Sequence, residues 1–161
     1  MSSFAMVQAR LDLCMQSVAG LQGVLVAGLD GFPGCESGFA SPSAAVDAHD
    51  HKARSAAADH RAAAVSVLAA AASQVAQRHG AAEAGRICIE TERGFVLVCK
   101  AGEQHVVGLY AGREARLEEL GFTLSSLAGQ VGEVLAVKRP KASPDAASAK
   151  GSGSPRPCAA G

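Results

Sequence analysis

The stretch at residues 85–114 constrains the fold most, because it has the pattern of three short strands joined by two tight turns. The sequence GRICIETERGFVLVCKAGEQHVVGLYAGRE is rich in β-branched and aromatic residues, which favour extended chain. Turn residues interrupt it at Arg93 and Gly94 and again at residues 101–104. The pattern predicts an antiparallel unit, and the stretch holds almost no residue suited to catalysis.

A two-residue turn at Arg93 and Gly94 predicts a register for the first hairpin. It places Cys88 opposite Cys99, and it also sets Glu92 opposite Phe95 and Ile89 opposite Val98. We expect free thiols at Cys88 and Cys99, because directly opposed strand positions strain a disulfide.

Both faces of this hairpin are apolar away from the turn. One face carries Ile87, Ile89, Val96 and Val98. The other face carries Cys88, Phe95, Leu97 and Cys99. Since side chains alternate between the two faces of a strand, we expect helices to cover both sides of the sheet.

Helices and two further strands are predicted before this unit. Apolar residues recur every three or four positions in a first helix at Phe4, Val7, Leu11, Cys14 and Val18. A valine-rich strand follows at residues 23–29 and turns at Asp30 and Gly31. The returning strand contains Pro33, which has no N–H to donate, so we expect it at a sheet edge.

Two more helices are indicated by the same periodicity. An alanine-rich central helix at residues 59–79 repeats apolar or partly apolar positions at Val65, Leu68, Ala72, Val75 and His79. A last helix follows the third strand of the unit, with leucine and valine on one face at Leu117, Leu120, Leu124, Leu127, Val131 and Leu135.

The polar segment at residues 41–59 is open to two interpretations, a loop or a solvated helical extension. The one group of metal-ligand residue types begins in this segment and comprises His49, Asp50, His51 and His60, with Asp47 and Asp59 nearby. Their spacing fits no standard structural zinc motif. We therefore expect no physiological metal and no cofactor.

Composition divides the chain into a folded body at residues 1–136 and a tail at residues 137–161. The tail is rich in Pro, Gly, Ser and Ala, and has five basic residues against one acidic residue, so we expect it to be disordered. The body has a net charge of −4 and lacks the basic stripe that nucleic-acid binding needs.

Location is inferred from what the sequence lacks. We expect no signal peptide and no spanning helix, because charged residues interrupt every long apolar stretch. The five cysteines form no C-x-x-C pair, and reduced thiols in a cytoplasmic protein are the simplest interpretation.

The order of elements resembles the roadblock (dynein light chain) family over about residues 3–136. The likeness rests on VAGLQGVLVAGLDGFPGCESG, on AAAVSVLAAAASQVAQRHG, and on GRICIETERGFVLVCKAGEQHVVGLYA. The resemblance implies an α+β fold of order α-β-β-α-β-β-β-α. In that fold a five-stranded antiparallel sheet lies between one central helix and two terminal helices. The alanine-rich composition suggests a bacterial source.

The family resemblance also implies a function. Its members form homodimers or pair with a paralogous roadblock protein through the central helix and the following strand. Its bacterial members resemble MglB, which acts on a small Ras-like GTPase. The implied dimer interface comprises Val65, Leu68, Ala69, Ala72, Val75, Arg86, Ile87, Cys88, Ile89 and Glu90.

Two functional classes stay open on the sequence. The first is a non-enzymatic dimeric regulator or scaffold that binds a small Ras-like GTPase, in which Arg54 or Arg61 is a weak candidate to contact the nucleotide site. The second is a ligand-sensing module of the GAF or PAS kind, although six phenylalanine and tyrosine residues supply few pocket-lining groups. Neither a nucleophile elbow nor a phosphate-binding loop is present, so we expect no enzyme.

Overall fold

The computed structural model of the chain describes residues 2–39 and 48–136, with the backbone alone at residues 48–53. The predicted tail and residues 41–47 lie outside this part. Eight elements occur in the predicted order: α1 (Ser3–Ser17), β1 (Leu21–Gly28), β2 (Pro33–Ser37), α2 (Ala48–Arg78), β3 (Ile87–Thr91), β4 (Gly94–Ala101), β5 (His105–Gly112) and α3 (Leu117–Ala136).

The five strands form one antiparallel sheet in the order β2-β1-β5-β4-β3. The edge strands are therefore β2 and β3. The β1–β2 pairing shifts register between Val26 and Ala27, where Pro33 begins β2. This irregular edge strand confirms the expectation drawn from Pro33.

Helices cover both faces of the sheet, as predicted. The core between the sheet and α1 and α3 includes Leu11, Leu109 and Leu124, all fully buried. The core between the sheet and α2 includes Val65 and Val106. Burying each such side chain contributes about 1.5–3 kcal/mol to folding. The predicted α+β sandwich is thus confirmed.

The hairpin between β3 and β4 has a different register from the prediction. The turn residues are Glu92 and Arg93, and Thr91 pairs with Gly94. The Thr91 hydroxyl oxygen accepts hydrogen bonds from the N–H groups of Arg93 (3.2 Å) and Gly94 (3.1 Å), which closes the turn one residue earlier than predicted. Gly94 has a φ of +150°, and a side chain there would collide with the carbonyl oxygen of Ala111.

This register changes the cysteine prediction. Cys88 lies opposite Leu97, and Cys99 lies opposite Val107 on β5. The two thiols therefore do not face each other, and both are free. The predicted faces are kept, because a shift of two residues in the pairing leaves the alternation of side chains unchanged.

The central helix α2 is longer than predicted, since its 31 residues begin at Ala48 rather than Asp59. The helical extension is therefore the correct interpretation of residues 48–58. Arg61 donates hydrogen bonds to Glu36 on the edge strand β2 (3.2 and 2.8 Å), so the helix crosses the sheet edge near this point. Farther along the helix, Ala69 and Ala72 lie near Ile87 of β3 and Val98 of β4.

Candidate protein-interaction surface

The two faces of α2 differ in what they contact. Its inner face is buried against the sheet at Ala62, Val65, Ser66 and Ala69. Its outer face holds Val67 and Val75, whose side chains are 67% and 68% exposed. Positions four apart lie in line on a helix, and we name the solvent-facing set Ala63, Ala64, Val67, Ala70, Ala71 and Val75 the outer stripe of α2.

The predicted interface residues of the central helix separate into three groups. Val65 and Ala69 are 0% and 3% exposed and belong to the chain's own core, so they are not available to a partner. Leu68 and Ala72 are half-buried. Val75 lies on the outer stripe. A partner docking on this helix would therefore meet the outer stripe rather than the predicted face.

The alternation of hydrogen bonds across the sheet shows which backbone groups of β3 point to its free edge. The Leu29 N–H donates to the Gln104 carbonyl (2.9 Å), which fixes which residues of β5 bond to β1. The registers of the next two strand pairs then fix the direction of every backbone group up to β3. The odd-numbered residues of β3 bond to β4, whereas the N–H and C=O groups of Cys88 and Glu90 point away from the sheet.

The side chains at this edge lie on two sides. Ile87 and Ile89 are half-buried on the α2 side, and Ile87 packs against the α2 core. Arg86, Cys88 and Glu90 are exposed on the α1 and α3 side. The structure thus brings the five predicted residues of this segment to a sheet edge that no other described strand pairs with, beside the C-terminal half of α2.

Arg86 occupies a notch in α3. Its guanidinium lies against Gly121, where a methyl group would overlap it. Within the described residues, neither the Arg86 guanidinium nor the Glu90 carboxylate has a hydrogen bond or salt bridge. Burial raises the pKa of the nearby Cys99 thiol, and the positive charge of Arg86 opposes that rise.

Comparison with known families identifies this arrangement. The sequence profile of the Roadblock/LC7 domain matches residues 7–111, well over half of the chain. The chain belongs to the Roadblock/LC7 family. No curated protein matched the chain.

Solved roadblock structures share this fold at low sequence identity. The gliding protein MglB of Thermus thermophilus is 17% identical with a TM-score of 0.69, over 85% of this chain and 93% of that one. MglB of Myxococcus xanthus is 13% identical with a TM-score of 0.70, over 86% and 93%. A Roadblock/LC7 domain from Streptomyces avermitilis is 22% identical with a TM-score of 0.65, over 80% and 97%.

Open grooves occur on the described part of this roadblock chain. One has a volume of about 800 Å³ and lies between α3 and the start of β3, next to Arg86 and Cys99. Glycine, alanine and serine make up most of its α3 wall, and Phe122 is its one aromatic residue. A second groove of about 190 Å³ lies between α1 and α3. The charged side chains of Arg86, Lys100, Glu118 and Glu133 also line the larger groove.

Two arginines were weak candidates to contact a GTPase. Arg61 is engaged inside the chain, because it forms a salt bridge with Glu36 (2.8 Å) and stacks over the Phe39 ring at 4.1 Å. Burial raises the pKa of Tyr110, and the positive charge of Arg61 opposes that rise. Arg54 is exposed on α2.

The structure describes only part of the predicted histidine cluster. His60 is exposed, while the side chains of His49, Asp50 and His51 lie outside the described residues, as does Asp47. Among the residues that the structure describes, no group of three or more His, Cys, Asp and Glu side chains could hold a metal.

No helix in the described part of the chain is long and apolar enough to cross a membrane.

Three features of the surface were missed by sequence reasoning. Val67 lies eight residues before Val75, and this helical spacing was the available signal. The Gly121 notch has no sequence signal beyond a glycine inside a helix. The outward direction of the Cys88 and Glu90 backbone groups depends on the hydrogen-bond register of the whole sheet.

Proposed function

We propose that this roadblock chain is a non-enzymatic dimeric regulator or scaffold that binds a small Ras-like GTPase and changes its nucleotide cycle or location. Family membership supports this role, because MglB, a bacterial roadblock protein with the same fold, acts on a small Ras-like GTPase. A cytoplasmic, bacterial setting belongs to the same proposal.

The observation that carries the self-association is the adjacency of the outer stripe of α2 to the free edge of β3. The stripe exposes two valines in an alanine surface, and alanine lets a second helix approach closely. An unpaired edge strand presents free backbone groups that template association, and pairing with a second strand removes them. One partner copy would cover both features together.

The GTPase partner is inferred from the family resemblance and not from a binding site in this chain. No residue of the surface needs to enter the nucleotide site, because a regulator can act by holding the switch segments of a GTPase in one conformation. A paralogous roadblock protein is the alternative partner for the dimer.

The oligomeric state tests the first part of the proposal. Light scattering on the purified chain is expected to give the mass of a dimer at micromolar concentration. The double variant Val67→Lys, Val75→Lys places two charges on each outer stripe, and we expect it to be monomeric. Leu13→Lys is the matched control, since Leu13 is 63% exposed on α1. A monomeric wild-type chain would contradict the proposal.

Binding to a GTPase tests the second part. The probe is a Ras-like GTPase from the same genome, first the one encoded nearest to this gene, loaded with GDP or with a non-hydrolysable GTP analogue. We expect the wild-type dimer to bind one nucleotide state in preference and to change the rate of nucleotide exchange or hydrolysis. If no such GTPase binds detectably in either nucleotide state, the GTPase part of the proposal is wrong.

The ligand-sensing alternative has one supporting observation, the groove of about 800 Å³ beside α3. This volume falls within the range of small-molecule sites, roughly 300–1,000 Å³. Native mass spectrometry of the freshly purified chain distinguishes the two functions. A bound metabolite at one per chain would favour the sensor, and the mass of an unliganded dimer would favour the regulator.

A further inference from the structure

We propose that the C-terminal tail, residues 137–161, turns back along α3 and binds in the groove of about 800 Å³ between α3 and the start of β3. We name this groove the α3 groove. The part of the tail that binds is residues 138–145, in an extended conformation and on its own chain. The inference requires neither a GTPase nor a dimer.

The place where the tail starts points to this groove. Ala136 is the last residue of α3, and it lines both the α3 groove and a smaller groove of about 340 Å³ at the β4–β5 turn. Where the two grooves meet, a methyl group on Gly132 would lie 2.9 Å from the Gly102 nitrogen, so the helix rests closely on the turn. The chain therefore leaves α3 at one end of the α3 groove.

Opposite charges meet at this end of the groove. Glu133 is exposed in the last turn of α3 and lines the groove. The tail begins with two basic residues close to it in sequence, Lys138 and Arg139. Pro140 follows them, and proline favours the extended conformation that a chain running along a groove needs.

The other end of the groove holds a positive charge. The Arg86 guanidinium lies against Gly121, about 22 Å back along α3 from its last residue. Arg86 has no carboxylate partner among the described residues. The nine residues from 137 to Asp145 span about 28 Å in polyproline II conformation, which leaves about two residues for the chain to reverse direction. Asp145, the only acid of the tail, therefore reaches Arg86 and stops short of Glu118.

An exposed aromatic ring lies between these two ends. Phe122 is 77% exposed and is the one aromatic residue that lines the groove. Proline-rich segments bind aromatic surfaces in the extended conformation, because little conformational entropy is lost when they do so. Pro144 directly precedes Asp145 and is placed to cover the Phe122 ring.

The tether makes a weak contact sufficient. Single exposed ion pairs contribute little to binding. A segment joined by a short linker has an effective concentration in the millimolar range, so a contact with a dissociation constant of about 1 mM is about half occupied within the chain. The tail has a net charge of +4 and the body one of −4, which adds a long-range attraction that salt screens.

A nitroxide label on the tail locates it in the full-length chain. The labelled variant is Cys88→Ser, Cys158→Ser, Ser143→Cys, with the nitroxide at position 143. Burial raises the pKa of the other three thiols, Cys14, Cys35 and Cys99, so they react more slowly. We expect the strongest broadening of amide NMR signals at Phe122, Ser125 and Gly129 of α3.

The same spectra contain the contrary outcome. The outer stripe of α2 lies on the opposite face of the sheet, and we expect no broadening there. At an ionic strength of about 1 M, where the Debye length is about 3 Å, the broadening on α3 is expected to fall by about half or more. Even broadening over the whole surface, or a maximum away from α3, would overturn the proposal.

Charge reversal tests the contact at the start of the tail. In the labelled chain, Glu133→Lys places like charges together, and we expect the broadening on α3 to fall by about half. Adding Lys138→Glu and Arg139→Glu restores opposite charges and is expected to restore the broadening. Glu119→Lys is the matched control, because Glu119 is an exposed acid of α3 that does not line the groove. Equal effects of Glu133→Lys and Glu119→Lys would overturn the placement of the tail.

A mixed sample separates binding within one chain from binding between two copies. A nitroxide-labelled chain without isotope enrichment is mixed with an unlabelled chain enriched in 15N, and we expect no broadening on the enriched chain. Broadening there would show that the tail binds a second copy, which overturns the proposal. A monomeric chain, or one that binds no GTPase, leaves all these expectations unchanged, so the proposed function can fail separately. Circular dichroism shows that each variant is folded before it is scored.

Discussion

Two glycines on α3 show how one residue type has different roles. Gly121 faces the Arg86 guanidinium, and a methyl group there would overlap it. Gly129 faces open space, with no atom within 4 Å of a methyl group placed on it. Both lie inside a helix, where alanine is more favourable than glycine by about 1 kcal/mol. The two positions therefore separate helix stability from the placement of Arg86.

We predict that Gly129→Ala raises the free energy of unfolding by about 0.5–1 kcal/mol and leaves dimerisation unchanged. Gly121→Ala is expected to leave the fold intact, since the overlapping atom is the end of a flexible side chain, but to weaken the dimer by displacing Arg86. Urea unfolding and light scattering on both variants check this. Equal dimer constants for the two variants would contradict the role of the notch.

His105 at the start of β5 makes stability depend on pH. Burial lowers the pKa of His105, and the charge of Asp30 opposes this shift. Because the folded chain then binds the proton less tightly than the unfolded chain, this contribution is complete above the unfolded pKa of about 6.5 and is lost as the pH falls below it.

We therefore predict that the wild-type chain loses more stability between pH 7.5 and pH 5.5 than His105→Gln does. The measurement is the melting temperature of both chains at the two pH values, with His60→Gln as the control for an exposed histidine. A larger loss in His105→Gln than in wild type would show that the pKa is raised instead.

At the scale of elements, the last helix was predicted from a single face of leucines and valines, but burial divides that face. Leu120 and Leu124 are fully buried, while Leu117 in the first turn is 45% exposed. Periodicity shows which residues share a face. The packing of that face against the rest of the core decides which of them are buried.

We predict that Leu124→Ala costs about 2–5 kcal/mol of unfolding free energy, because it leaves a cavity in the core between α3 and the sheet. Leu117→Ala, the same change in the same helix, is expected to cost less than about 1 kcal/mol. Urea denaturation of both variants measures the difference. Similar losses at the two positions would mean that the burial of α3 is not as described.

The β3–β4 hairpin shows the limit of turn rules at this scale. Arg93 and Gly94 fit a two-residue turn, yet the hydroxyl of Thr91 binds the N–H groups that follow it and closes the turn at Glu92 and Arg93 instead. The Arg113 guanidinium, far away in sequence, also donates a hydrogen bond to the Thr91 carbonyl (3.1 Å). A contact of this kind is not visible in a local motif.

At the scale of the whole molecule, the sheet determines which amides are protected. The odd-numbered amides of β3 bond to β4 in the single chain, whereas those of Cys88 and Glu90 point outward. Pairing with a second copy would bond the outward amides as well.

We predict that hydrogen exchange at Ile89 is slow at every concentration, while exchange at Cys88 and Glu90 slows as the dimer forms. Amide exchange followed by NMR above and below the dimer dissociation constant checks this, with the Val67→Lys, Val75→Lys variant as the monomeric control. Fast exchange at Cys88 and Glu90 in a sample shown to be dimeric would place the interface elsewhere.

The sequence by itself determined the order of the elements, the edge position of the Pro33 strand and the apolar character of both sheet faces. These depend on local propensity and on periodicities that residues a few positions apart can express. The family also followed from the sequence, because its likeness is a pattern of elements.

Only the tertiary structure decided the inward position of Val65 and Ala69, the exposure of Val67, the notch under Arg86 and the outward direction of the Cys88 and Glu90 backbone groups. Each of these depends on which helices and strands pack or pair with one another in the folded chain. The physical reason is that burial and hydrogen-bond direction are properties of contacts between distant segments, and a helical or strand period does not specify the neighbour it meets.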